Sequence, residues 1–413
     1  MRQSLILCLC TLALLLPWGC SEQTPSASIP ANNPRIRVLL LDDATAADIG
    51  SDATAQISLD ASPTPRLLRL GPAAMLTLSG NIWRIGSTPL GSGILTIQSP
   101  DGVLLLNRSA YRGFFRFIPA GPGTFDVVND LDIEDYIQGV VACEMYHDWQ
   151  LEAYKAQAVA SRTYALYEAR STGMGRAWDV FADQRSQVYG AIAGETDQSR
   201  FAAQATSGIV LTYGPGDGKI FKAYFSSCCG GVSQAAADAF PGEPYLPPLS
   251  EQYRGACCSA SKYFNWGPIT VSKSELTRRF RLWGQHLAAG IGKPVPEATM
   301  ANIYRMDVQS ANRYGRPTRV LVTDTRGIQY SLAAEDMRAA TNTDAQTGST
   351  LPSSFCKING DPNLDSVTFF DGHGFGHGVG MCQWCAEARA QAGESTEQIL
   401  LASYPGAKLI RAY

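Results

Sequence analysis

Between Pro34 and Asp130 short apolar runs alternate with glycine, proline and aspartate: Ile36 to Leu41, Met75 to Leu78, Ile94 to Ile97, Val103 to Leu106, Phe114 to Ile118 and Phe125 to Val128. Runs of that length, bounded by turn residues, predict strands. Beyond this point the period changes. Ile133, Tyr136, Ile137, Val140 and Val141 fall on one side of a short helix that Asp132 can cap. Glycine and proline are then absent from Val140 through Ser171, and the stretch from Asp148 is rich in good helix formers, so a helix of about five to six turns follows. Asp148 is its expected N-cap, and Trp149, Ala153, Ala156, Ala160 and Tyr164 give it a face of small residues.

Asp197 to Ser207 reads as a further helix, and Ile209 to Tyr213 with Ile220 to Phe225 as a hairpin across a glycine-rich turn. Helices near 272–286 and 333–340 and strands near 303–309 and 319–323 make a mixed segment without a catalytic constellation. The pattern predicts an α+β protein: a β-rich N-terminal domain (35–130), a central α/β body with one long helix (131–268), an inserted mixed α/β segment (269–369) and a return to the body (370–413).

The first nineteen residues carry Arg2 and an apolar run, Leu5 to Leu16, too short to span a membrane, and read as an export signal. It ends at Cys20 in an imperfect lipoprotein cleavage box, so Cys20 is the expected lipidation site and 20–34 a polar tether. This predicts an exported, periplasmic or cell-envelope lipoprotein, attached to the membrane through its lipid only. A net charge of -3 with 17% charged residues gives no reason to expect nucleic acid.

Glu144 falls at the end of the short helix, just ahead of the long one, beside Met145 and Trp149. Apolar neighbours raise a carboxyl's pKa, and a carboxyl held partly neutral can act as a general acid. The alternative is a solvated cap at a helix junction. Near the C-terminus five glycines interleave with His373 and His377 ahead of Met381-Cys-Gln-Trp-Cys385, a backbone bare enough for a cleft, a tight packing turn or a pair of metal ligands.

Several motifs occur in order: Asp132-Ile-Glu-Asp-Tyr-Ile-Gln-Gly-Val-Val, Glu144-Met145, Glu152 to Leu166, Gln187-Val-Tyr-Gly, Ser226-Ser-Cys-Cys-Gly-Gly, Pro244-Tyr-Leu and Gly374-Phe-Gly-His-Gly-Val-Gly-Met-Cys-Gln-Trp. Together they resemble the signature of the SpoIID/LytB family of peptidoglycan-active proteins. The resemblance implies a lytic transglycosylase in which Glu144 is the acid/base cleaving the bond between N-acetylmuramic acid and N-acetylglucosamine, leaving 1,6-anhydro ends. It implies Lys155, Arg162, Tyr164, His377 and Gln383 as substrate-binding residues, glycan strands as the partner, and no cofactor for the reaction. Its alternative is a non-catalytic peptidoglycan binder that enhances a cell-wall amidase.

Of the 11 cysteines, eight remain once Cys8, Cys10 and Cys20 are set aside. In an exported chain the doublets Cys228-Cys229 and Cys257-Cys258 are disulfide candidates, bridged one to the other. A structural zinc held through Cys229 and Cys258 is the alternative, and the resemblance adds that some relatives hold zinc near the Gly-Gly turn. Cys143 with His147, or Cys382 with His377, would make a thiol nucleophile. Cys143 could otherwise clamp to Cys382 or Cys385.

Overall fold

The computed structural model describes residues 33–60, 62–172 and 175–413. The expected signal (1–19), Cys20 and nearly all of the tether lie outside the described residues.

The N-terminal strands are β1 (Arg35–Ala44), β2 (Ala46–Leu59), β3 (Ser62–Ser79), β4 (Ile82–Ile85), β5 (Thr88–Gly91), β6 (Leu95–Leu106), β7 (Ser109–Gly121) and β8 (Thr124–Asp132). They pair antiparallel in the order β5-β4-β3-β2-β6-β7-β8-β1. Alternate residues point inward, as the two-residue strand period requires, and bury Trp83 among Phe117 and Phe125, with Trp83 and Phe125 centroids 5.1 Å apart edge to face.

β8 runs directly into α1 (Ile133–Glu144), where the Asp132 carboxylate accepts from the Glu134 amide at 2.7 Å. The long helix α2 (Leu151–Thr172) begins three residues later than its expected cap. Asp148 sits in a turn closed by the Trp149 amide on the Tyr146 carbonyl. The Gln150 amide instead donates to the buried Glu387 carboxylate at 2.8 Å, a partner remote in sequence that local capping rules do not reveal.

Strand β9 (Val180–Phe181) adds to the sheet, parallel to β1. After α3 (Asp197–Ala205) comes the expected hairpin, though only β10 (Ile209–Tyr213) and the two residues of β11 (Lys219–Ile220) pair. The other edge of β10 is taken by a strand from the end of the chain, Lys408–Arg411. The next strand, β12 (Phe225–Ser226), pairs parallel with Met381–Cys382, which brings the glycine-histidine block beside the Ser226-Ser-Cys-Cys-Gly-Gly turn.

Residues 269–369 form two three-stranded sheets with the helices α4 (Lys273–Ile291) and α5 (Ala334–Asn342), around Phe280, Met306, Val320, Met337 and Phe369. They dock through Arg316, which is fully buried and donates to the carbonyls of Cys229 (3.3 Å), Val232 (3.0 Å) and His377 (2.9 Å). Residues 33–413 make one compact unit. Two helices close the chain, α6 (Gln383–Gln391) and α7 (Thr396–Ser403). The architecture is α+β, with the large sheet at the N-terminal end.

Candidate functional site

Glu144 is the last residue of α1, and its carboxylate Oε1 accepts from the Val188 amide at 2.9 Å. Burial pushes its pKa up from the ordinary carboxyl range, and the Val188 amide and a side-chain hydrogen bond from Gln383 act against that shift without cancelling it.

Gln383 opens α6, buried, with its amide nitrogen 3.3 Å from Gln157 Oε1. Gln157 in turn donates to Ser161 Oγ at 3.0 Å, and Gln187 donates to the Ser161 carbonyl and the Tyr136 hydroxyl. An amide group has two N–H donors. With one spent on Gln157 of α2, the other is left for Glu144, so the buried Gln157 amide helps set which way Gln383 faces the carboxyl.

A cavity of about 600 Å³ is lined by Val188, whose amide meets this carboxyl, and by the loop Ala182 to Arg185. On the other flank Tyr146, Trp149 and Trp384 pack together with centroids 5.0 to 5.7 Å apart, and Tyr146 is 51% exposed. Aromatic faces of this kind receive the C–H face of a sugar ring. The sequence places Trp149 beside Glu144, but not the contact of its ring with Tyr146 and Trp384, nor the parts of Val188 and Gln157. Gln187-Val-Tyr-Gly was the signal for Val188, whereas Gln157 becomes legible only once α2 is packed.

Of the expected substrate-binding residues, only Gln383 touches the carboxyl. Tyr164 is buried, hydrogen-bonded by Ser186 of the loop leading to Val188, and its hydroxyl pKa is raised by burial. His377 lies between Tyr224 and Phe240, with Nδ1 accepting from the Val379 amide at 3.0 Å and its other nitrogen bonded to the Phe225 carbonyl. Burial pushes it down to about 4, so it is neutral at pH 7. Tyr224 bridges His377 and Tyr164. Lys155 pairs with Glu152 at 2.7 Å and lines a different cavity, with Thr396 and Arg411. Arg162 is fully buried on Glu134, which also accepts from the Gly208 amide and the Tyr413 hydroxyl.

The cysteines converge unlike either expected pairing. The Sγ atoms of Cys229, Cys258, Cys382 and Cys385, all buried, lie within 4.8 Å of one another. One comes from each doublet and two from a C-x-x-C at the start of α6, a spacing the sequence displays and the doublet reading passed over. The eight described cysteines are free thiols, so neither the bridge between doublets nor the clamp from Cys143 is formed. Cys143 packs against Gly190 instead. Its pKa is raised by burial and by the Glu144 charge, the opposite of what a thiol nucleophile needs. Cys382 sits inside the cluster, and both nitrogens of His377 are engaged by backbone.

Residues 122–213 match the profile of the family described as SpoIID, stage II sporulation protein. An uncharacterized protein of Brachyspira hyodysenteriae is 30% identical over 318 residues, covering 76% of each chain. The amidase enhancer of Bacillus subtilis is 27% identical over 302 residues, 66% of this chain but 40% of its own length. Stage II sporulation protein D of Bacillus subtilis is 25% identical over 299 residues, 69% of this chain and 76% of its own.

Proposed function

This chain belongs to the SpoIID family, and from that premise we propose that it acts outside the cytoplasm on peptidoglycan, as a lytic transglycosylase with Glu144 as general acid and then base. The observation that carries the reading is the carboxyl itself. Burial disfavours its charged form, yet it is provided with two donors, Val188 N–H and Gln383, that can receive the negative charge once the proton has left.

Glu144 protonates the glycosidic oxygen between N-acetylmuramic acid and N-acetylglucosamine. As a carboxylate it then takes the proton of the C6 hydroxyl that attacks C1 of the same sugar, closing the 1,6-anhydro ring and restoring the acid. One carboxyl suffices because no water has to be activated from the opposite face, in contrast to the usual hydrolase pair. The cavity of about 600 Å³ and the Tyr146, Trp149, Trp384 cluster support this reading as surfaces against which a strand would lie.

The similarity to the amidase enhancer favours a second reading, a peptidoglycan binder that stimulates an amidase without chemistry of its own. Digestion of purified glycan strands, with and without stem peptides, separates the two. Anhydro ends made by the protein and not by Glu144→Gln support the enzyme. Strands left intact by a protein that still binds them, and that accelerates an added amidase, support the second reading instead.

A further inference from the structure

We propose that the cavity between the C-terminal end of α2, the β10–β11 hairpin and the terminal strand Lys408–Arg411 binds a short peptide by its free C-terminal carboxylate, at a place remote from Glu144. That the occupant is a stem peptide of peptidoglycan rests on the reading above; the site itself does not.

The cavity has a volume of about 540 Å³. Its cationic side is made by Arg170, Lys219 and Arg411, all exposed, and no acidic side chain lines it. Arg411 gives one of its donors to the Ser207 carbonyl, and a guanidinium has five, so others remain for a ligand. The two carboxylates whose charge reaches Tyr167, at the cavity wall, are engaged elsewhere: Glu168 pairs with Lys222 at 2.9 Å, and Glu243 accepts from the Tyr224 hydroxyl at 2.8 Å.

The floor is of another kind. Val210, Ile220 and Ile410 make it apolar, and Thr212 lies among them. Thr212 is only 1% exposed, yet its Oγ1 meets no hydrogen-bond partner among the described residues. Buried hydroxyls are nearly always paired, and valine would fill the same place on a strand, so a ligand atom that the hydroxyl meets accounts for it. The two halves suit the two parts of a peptide terminus. Its carboxylate takes charge-assisted bonds from the cations and the Thr212 hydroxyl, and small apolar side chains cover the floor. A phosphodiester would leave that floor wet, and an uncharged sugar would leave three cations unanswered. At about 1.5 Å per residue, Arg170 stands roughly 20 Å along α2 from Gln157, the residue that meets Gln383. The site therefore serves retention and choice of strand, not the reaction.

The probe is N,N′-diacetyl-Lys-D-Ala-D-Ala, whose one charge is its terminal carboxylate, titrated calorimetrically into the full chain beside its C-terminal amide. The acid should bind about tenfold more tightly than the amide, and less so as salt rises. Arg170→Glu and Lys219→Glu should each weaken it about tenfold, and Thr212→Val about fivefold, the last without lowering the melting temperature. A threonine that serves only the fold would leave affinity in place and lower the melting point. Equal binding of acid and amide, affinity untouched by the three variants, or tighter binding of acetate or glycerol phosphate than of the tripeptide would overturn the site. Glu144→Gln should bind the probe as the wild type does, so failure of the cleavage reading leaves this result standing. For the occupant, strands bearing stem peptides should be held more tightly than stripped ones, and Arg170→Glu should erase the difference. A protein that binds the tripeptide but ignores both kinds of strand would keep the site and overturn the stem peptide as its occupant.

Discussion

Removing the charge from Glu144 separates two effects that its burial ties together. Glu144→Gln keeps the shape and an acceptor for Val188, so glycan cleavage should fall by about a hundredfold or more, measured as anhydro ends released. The same change should stabilise the fold at neutral pH. With a folded pKa above the unfolded one, the native state keeps a proton the unfolded chain has released, so stability is lost as pH rises through that interval. The variant escapes the loss, and its melting temperature should exceed that of the wild type at pH 7 and equal it below about pH 4. A wild-type advantage at pH 7 would contradict the desolvation. Gln383 acts the other way, since its hydrogen bond lowers the pKa. Gln383→Ala should slow the reaction and move the alkaline limb of its pH profile upward, whereas mere loosening of the helix would leave the limb in place.

The elements around this carboxyl are held by a knot that sequence patterns reveal only in part. Helix α1 was legible from Ile133, Tyr136, Ile137, Val140 and Val141 because its periodicity and its Asp132 cap are local. The start of α2 was not, because its first free amide is satisfied by Glu387 from the far end of the chain. Arg162 shows the same limit. Its place in a motif shared with the SpoIID family implied substrate contact, while its guanidinium lies on Glu134 at 2.6 Å and on the Ala203 and Ile209 carbonyls, joining α1, α2, α3 and β10. Burial alone would raise the Glu134 pKa, and Arg162 together with the Tyr413 hydroxyl and the Gly208 amide more than reverses it. The stability that pair adds is therefore lost as pH falls through the lowered value. Arg162→Ala leaves the carboxylate buried without its partner and should cost about 3–5 kcal/mol. Tyr413→Phe removes one hydrogen bond to the same carboxylate and should cost about 1.5–3 kcal/mol. Urea unfolding of the two variants checks both, and near-equal losses would show that the ion pair is not what holds the helices.

At the scale of the molecule, the β-rich beginning and the mixed insertion were readable as segments, but their relation was not, because docking runs through single residues. Arg316 is the insertion's anchor, and Gly378 leaves room for it: a Cβ there would lie 2.6 Å from the guanidinium carbon, on a backbone with φ of +71°. Gly378→Ala should loosen residues 269–369 from the body, seen as faster hydrogen exchange in α5 and easier proteolysis of the insertion, with the N-terminal sheet unaffected. Protection unchanged in α5 would mean that other contacts suffice. The four-cysteine cluster was hidden for the same reason, its members standing far apart along the chain.

The amide that completes the acid's surroundings is bonded to a residue 226 positions earlier in the chain. A ribosome must therefore deliver almost the whole polypeptide before Glu144 can meet Gln383. Until then the carboxyl sits in an unfinished, wet setting and titrates as any other glutamate would. The setting that burial and Gln383 give this carboxyl is thus a property of the finished fold alone.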